Sequence, residues 1–353
     1  MEKIQRIDDD IHKAVYYWIN DVEYAKESFG DIKDWDTSKV TNMKGLFSNA
    51  SNFKSDLSKW DVSNVTNMEA MFFGASLFNK DISKWDTSMV ENMQAMFAYA
   101  SSFNQDISYW NTSKAENFRG MFFKATLFNQ DISNWDVSRV INMSQMFLGT
   151  NNFNQNIGKW NVSSLIDASG MFSGAQRFNA NINSWDVSSV TDMGGMFSNT
   201  ASFNQPLDNW NTGQVTNMSD MFHNSIFNYP IGNWNVSKVT NMSTMFWYAQ
   251  YNHPLGDWDV SNVTRMDYMF TQTNFNQDIN AWDTSTSTNF GQTFQLAKSF
   301  NQPLSGWDIS STSTLFATFD AAEAFHQNMN GWDTAGVNNF GSFGATFRAA
   351  SAY

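Results

Sequence analysis

Two recurring polar columns and two recurring thioether columns are the residues of this chain whose types and spacing could do chemistry. Asp or Asn directly follows each of thirteen evenly spaced tryptophans, from Asp36 and Asp61 to Asp333. A second column of Asn runs through Asn79, Asn104, Asn129, Asn154 and onward to Asn301. Carboxylates repeated on stacked chain segments about 4.8 Å apart could bridge calcium ions. Against that, Asn111, Asn161, Asn211 and Asn235 interrupt the acidic column with neutral groups. The favoured expectation is structural: Asx side chains close turns, and carboxamides form ladders along a stack. Met43, Met68, Met93 and their successors could ligate a soft metal, but they lie in the apolar register beside Phe, which reads as core filling. His12, His223, His253 and His326 share no metal-binding spacing, and cysteine is absent. No nucleophile elbow, phosphate loop or dinucleotide fingerprint occurs. The expectation is no enzyme, no cofactor and no metal.

The elements that position these columns are tandem repeats. Trp35, Trp60, Trp85, Trp110, Trp135, Trp160, Trp185, Trp210, Trp234, Trp258, Trp282, Trp307 and Trp332 follow one another at steps of 25 or 24 residues. A period of roughly 20 to 50 residues signals a solenoid, in which each unit buries its apolar face only by stacking on its neighbours. In the unit from Trp60, Val65, Met68, Met71, Phe72, Ala75 and Phe78 are spaced by threes and fours, which predicts a short helix capped by Ser63 or Thr66. The stretch from Phe78 through Ile82 to Trp85 and Thr87 predicts an extended segment able to stack as a short parallel strand. The fold class expected is an α/β repeat solenoid of about thirteen coils, each with one short helix and one short strand or extended segment. The tryptophans, in step with the Phe and Met columns, are read as scaffold.

Residues 1–30 depart from the repeat. Ile11, Ala14, Val15, Trp18 and Ile19 predict an amphipathic helix from about Asp8 to Asn20, with a second short helix from Asp21 to Ser28 ending at Gly30. This N-terminal helical cap should cover the open end of a single solenoid over residues 31–353. Toward the other end the pattern decays. Ser287 and Thr312 stand at the Val position, Thr293 and Thr318 at the second Met, extra residues enter after Val337, and Tyr353 falls where the Phe column would continue.

The net charge is −13, with no basic run, so a direct electrostatic hold on nucleic acid or anionic lipid is not expected. The first residues carry no apolar signal-peptide core, and nowhere do 18 consecutive apolar residues occur. Direct membrane insertion is not expected either.

The stretch WDVSNVTNMEAMFFGASLFNKDISKWD, Trp60 to Asp86, resembles the repeat of BspA-like bacterial surface proteins, and thirteen units carry the motif from residue 31 to about 340. That family is similar in turn to leucine-rich repeats, with a helix-then-strand order. The resemblance implies a non-enzymatic recognition or adhesion module at a cell surface or secreted, binding a protein or glycan along its solenoid. A structural component of an envelope, virion or matrix, self-associating laterally, is the second expectation, and ice or mineral binding the third.

Binding residues are sought where units vary, since aromatic side chains there are not demanded by the core. One group surrounds Trp234 and Trp258: Tyr229, Trp247, Tyr248, Tyr251 and Tyr268, with His223 and His253. A smaller one is Phe73, Tyr99 and Phe123, from three successive units. The first group coincides with three 24-residue units between Trp210 and Trp282.

Overall fold

The computed structural model describes residues 5–337 and residue 346. The extra residues after Val337 and the position of Tyr353 in the Phe column lie outside the described residues. The chain divides into two compact units, Met1–Leu165 with Gly174–Ala180, and Ile166–Ser173 with Asn181–Tyr353.

The first unit opens with strand β1 (Gln5–Ile7), helix α1 (Asp8–Asn20) and helix α2 (Val22–Phe29), followed by a 3-10 turn (Ile32–Asp34) and strand β2 (Asp36–Lys39), which pairs in parallel with β1. Three aspartates occupy the first turn of α1, where the helix dipole favours negative charge, and Asp10 Oδ1 accepts from the Ile7 N–H at 3.0 Å. Asp21 caps α2 through the Tyr24 N–H, and Gly30 ends it at φ 76°. Ile11, Ala14 and Val15 bury one face of α1, and Trp18 packs edge-on against Trp35 with ring centroids 6.1 Å apart.

This segment supplies the first repeat with what a preceding repeat supplies elsewhere. Inside the array the N–H of Thr66 donates to the carbonyl of Thr41, and that of Glu91 to the carbonyl of Thr66. At the first repeat the Asp8 carboxylate takes that place, accepting from the Thr41 N–H at 2.8 Å, the Thr41 hydroxyl at 2.6 Å and the Asn42 N–H at 3.1 Å. Where later indoles stack on an earlier indole, Trp35 has the Arg6 guanidinium 5.0 Å from its ring centre.

From Met43 on, the expected helix of each coil is not there. The M-x-x-M-F stretch is a chain of tight turns in which i to i+3 hydrogen bonds, such as Met71 N–H to Met68 carbonyl and Phe73 N–H to Ala70 carbonyl, alternate with bonds to the next coil. Met43, Gly45, Phe47 and Asn49 donate to the carbonyls of Asn67, Glu69, Met71 and Phe73. A helix would keep those N–H groups for its own carbonyls four residues back. Here every second one points along the stack, and to do so two residues per coil enter the left-handed region, as at Gly45 and Asn49 or Ala70 and Gly74. Apolar spacing by threes and fours fits successive three-residue turns as well as one helical face, and so short a helix gains little by itself.

The parallel pairing also lies elsewhere than expected. It runs through single residues of the V-T-N-M stretch, Asn42 to Asn67 to Asn92 to Asn117 to Asn142 in the first unit, and Asp167 through Asp192, Asn217, Asn241, Arg265 and Asn289 to Thr314 in the second. The Phe-to-Trp segment, expected to be the strand, is linked by side chains instead. Asn79 Oδ1 accepts from the Asn104 N–H, Asn104 Oδ1 from Asn129, and Asn252 Oδ1 from Asn276. The Asx residue after each Trp closes its own turn, as where Asp136 Oδ1 accepts from Ser138 N–H at 3.0 Å and Ser138 hydroxyl at 2.6 Å.

The core is built from columns. Phe72 stacks on Phe78 within its coil at 4.0 Å and on Phe97 of the next at 5.5 Å. Trp85 and Trp110 lie parallel at 6.2 Å, and each indole donates to a carbonyl of the previous coil, Trp110 to Ile82 and Trp135 to Ile107. All the repeated tryptophans are buried except Trp332, which is half-buried. The Met columns are fully enclosed. In the 24-residue units the indole bond persists, Trp258 to Ile231 at 3.2 Å, so the deletion after the Phe column is absorbed in the turn. Polar replacements near the end are satisfied in the same direction: Ser287 hydroxyl donates to Val263 carbonyl, and Thr293 hydroxyl to Met266 carbonyl.

Candidate recognition surface

Once core, turns and ladders are assigned, the residues left to meet a ligand are those at the left-handed turn positions and their neighbours. Glycine fills these positions at Gly45, Gly74, Gly120, Gly149 and Gly170, because it enters positive φ without a steric penalty. Three tyrosines hold the same conformation, Tyr99 at φ 59°, Tyr248 at 59° and Tyr268 at 60°. All three belong to the aromatic groups singled out from the sequence. Bulky side chains at positions where the array accepts glycine carry a backbone cost, and such strain concentrates at functional sites.

In the first unit Phe73, Tyr99 and Phe123 come together as expected. Tyr99 meets Phe73 at 5.4 Å with ring planes 68° apart, and Phe123 at 5.1 Å and 57°. These rings line a shallow pocket of about 380 Å³ together with Gln94, Ala95, Arg119, Gly120 and Gln145. Lys124 reaches over it, its Nζ 5.5 Å from the centres of both Tyr99 and Phe123. Tyr99 is 41% exposed.

The second group divides. His223 and Trp247 stack face to face at 4.7 Å and 9°, and the Tyr268 ring lies tilted against Trp247 at 5.6 Å and 37°. The Trp247 N–H lies 3.4 Å from Gln272 Oε1. Burial pushes the His223 imidazole below its ordinary value, the Asp220 carboxylate 3.8 Å away opposing it. Tyr248 is well exposed at 59%. Tyr229 and His253 lie on the Asn-Pro side of the coil, His253 Nε2 2.9 Å from the Asn228 carbonyl oxygen.

Tyr251 corrects the expectation. It is 1% exposed, replaces Phe in the core column between Phe227 and Phe275, and stacks on Phe227 at 6.3 Å and Phe246 at 4.6 Å. The shortened unit makes it the Phe equivalent, and the sequence alignment on Trp hid that. Its hydroxyl is buried with no hydrogen bond of good geometry, the Ile231 backbone alone interacting with it, and burial, outweighing that interaction, pushes the phenol far above its usual range.

Gln94, Arg119, Lys124 and Gln145 were not singled out from the sequence. The signal was available in the positions nine, ten and fourteen residues after Trp, where glycine in some units alternates with large polar residues in others. Among the described residues no group of three or more His, Asp or Glu converges as a cation site, and no helix is long and apolar enough to cross a membrane.

Successive copies of one hydrogen-bonded coil, with variable side chains on a constant frame, define a tandem-repeat protein. The chain belongs to the family described as Mycoplasma protein of unknown function, DUF285, which matches it over residues 18–133, 105–201, 179–274 and 250–352. No curated protein and no solved structure matches it.

Proposed function

We propose that this protein is a non-enzymatic recognition module, secreted or displayed at a cell surface, that binds protein or carbohydrate through exposed aromatic strips on a solenoid of the leucine-rich-repeat-like, BspA-like kind. The observation that carries the reading is the division of labour within each coil. Repeated Trp, Met, Phe and Asx residues are engaged in core contacts, in turns of their own coil or in bonds between coils. Aromatic residues that the core does not require stand in solvent at strained turn positions, above all Tyr99 between Phe73 and Phe123. Aromatic side chains offer large contact area with few rotatable bonds, which suits recognition.

The test is a glycan array and a panel of purified extracellular-matrix proteins, probed with the wild-type chain, a Tyr99→Gly variant and a Trp247→Ala, Tyr248→Ala double variant. Binding to a defined target that falls in either variant supports the reading. Binding unchanged in both would sink it, as would concentration-dependent assembly that ignores both substitutions, which favours a structural component instead.

A further inference from the structure

We infer that the Phe73–Tyr99–Phe123 pocket is a binding site for an acidic carbohydrate, a sugar ring bearing a carboxylate. The inference rests on the recognition reading above and names its ligand class. Four features converge. The ring planes stand 68° and 57° apart and Tyr99 is partly exposed, so unlike the near-parallel His223–Trp247 pair this cluster presents tilted aromatic rings to the C–H face of a pyranose. Gln94 and Gln145 line the pocket. Gln94 accepts from Asn117 through Oε1 at 3.0 Å, which leaves its amide N–H groups to donate to sugar hydroxyls. Arg119 lines the pocket with a planar donor fork that matches a carboxylate. Lys124 adds a second cation above the rings.

Charge singles the place out. The chain carries −13 overall, which repels anions, yet neither Arg119 nor Lys124 is in a salt bridge among the described residues. The nearby acids are otherwise engaged, Glu69 with Lys44 and Glu116 with Arg139. A pair of cations outside any salt bridge beside partly exposed aromatic rings is complementary to an anion that also offers an apolar surface. An acidic peptide would supply the charge, but the main chain here has nothing to give it. The N–H groups of Ala95, Tyr99 and Gly120 already donate to the carbonyls of Arg119, Phe123 and Ser144, so no strand can be added at this surface. Gly149 makes room for the arrangement: a Cβ there would lie 3.0 Å from Lys124 Cγ.

The experiment uses the full chain in calorimetric titration with a galacturonic acid trimer, its methyl ester and a short polyglutamate peptide. The expected result is binding of the trimer, weakened about tenfold in Arg119→Gln and in the methyl ester, since one charge-assisted contact is removed in each. Tyr99→Gly abolishes it, and that substitution is safe for folding because the left-handed backbone accepts glycine, as thermal unfolding will verify. Equal binding of acid and ester overturns the acidic-sugar assignment while leaving a Tyr99-dependent recognition site intact. Binding of polyglutamate without the trimer overturns the ligand class. No binding of any of the three probes overturns the inference, whereas the recognition reading falls only if the array and protein panel also return nothing dependent on Tyr99, Trp247 or Tyr248.

Discussion

Asp8 holds Thr41 through both of its carboxylate oxygens, Oδ1 accepting from the main-chain N–H at 2.8 Å and Oδ2 from the hydroxyl at 2.6 Å. The carboxylate thereby mimics the carbonyl that a preceding coil would present. A repeat array must end somewhere, and an end leaves main-chain donors without partners. Partial burial, the largest single influence on the Asp8 carboxyl, raises it, but the hydrogen bonds from Thr41 and Asn42 together outweigh burial and hold it below its ordinary value. Replacing Asp8 with Ala should cost about 1–2 kcal/mol, the scale of a lost helix cap, while Asn, which keeps an acceptor, should cost less. Urea denaturation of the two variants measures the difference, and equal losses would mean that the acceptor is not what matters.

Tyr251 offers the opposite case, a native residue that weakens its own core. Its hydroxyl is buried and poorly satisfied, with only a weak interaction from the Ile231 backbone, while Phe227 and Phe275 show that Phe fits the same column. A buried unsatisfied hydroxyl costs roughly 1–3 kcal/mol, so Tyr251→Phe should stabilise the fold by about 1 kcal/mol. A lower unfolding midpoint for the variant would refute this.

Thr244 is β-branched and sits at φ 60°, a conformation that suits such residues least. The same turn position is Gly195 at φ 64° and Gly170 at φ 61°. Relief of about 1–2 kcal/mol of left-handed strain, less roughly 0.5–1 kcal/mol for the freer unfolded chain, predicts a net gain for Thr244→Gly of about 0.5–1 kcal/mol. The reverse exchange, Gly195→Thr, should destabilise. Thermal unfolding of both variants checks the sign.

Acid sensitivity follows from the Asx turns. The Ser138 hydroxyl and N–H hold Asp136 below the ordinary 3.8, and Ser188 and Ser261 do the same for Asp186 and Asp259. For a carboxylate depressed in the folded state, the stabilisation is present above the unfolded value and is lost as pH falls through the folded one. The midpoint of unfolding should therefore drop as pH is lowered from about 5 to about 3. These groups lie near the surface, so each contributes modestly. The triple variant Asp136→Asn, Asp186→Asn, Asp259→Asn should fold, since Asn occupies the same position at 111, 161, 211 and 235, and should lose less stability over that range. An unchanged slope would show that other carboxylates govern the acid limb.

Part of this was legible in the order of residues. Thirteen tryptophans in step with Phe and Met imposed a repeat, because one apolar set recurring at one period can be buried only by stacking copies of itself. Ile11, Ala14 and Val15 were enough to place α1, and the Asn after Phe sufficed for a carboxamide ladder. Periodicity could not choose between a helix and a chain of three-residue turns, since both put Met68, Met71, Phe72 and Ala75 on one side. The choice depends on where alternate N–H groups find acceptors, and for Met43 that acceptor is Asn67 in another coil. The same holds for the surface. Sequence marked Tyr251 and Tyr99 alike as aromatic departures from the repeat, and only packing separated them. One ring fills a Phe slot in the core; the other is held outward by a left-handed backbone, beside two cations from the next coil.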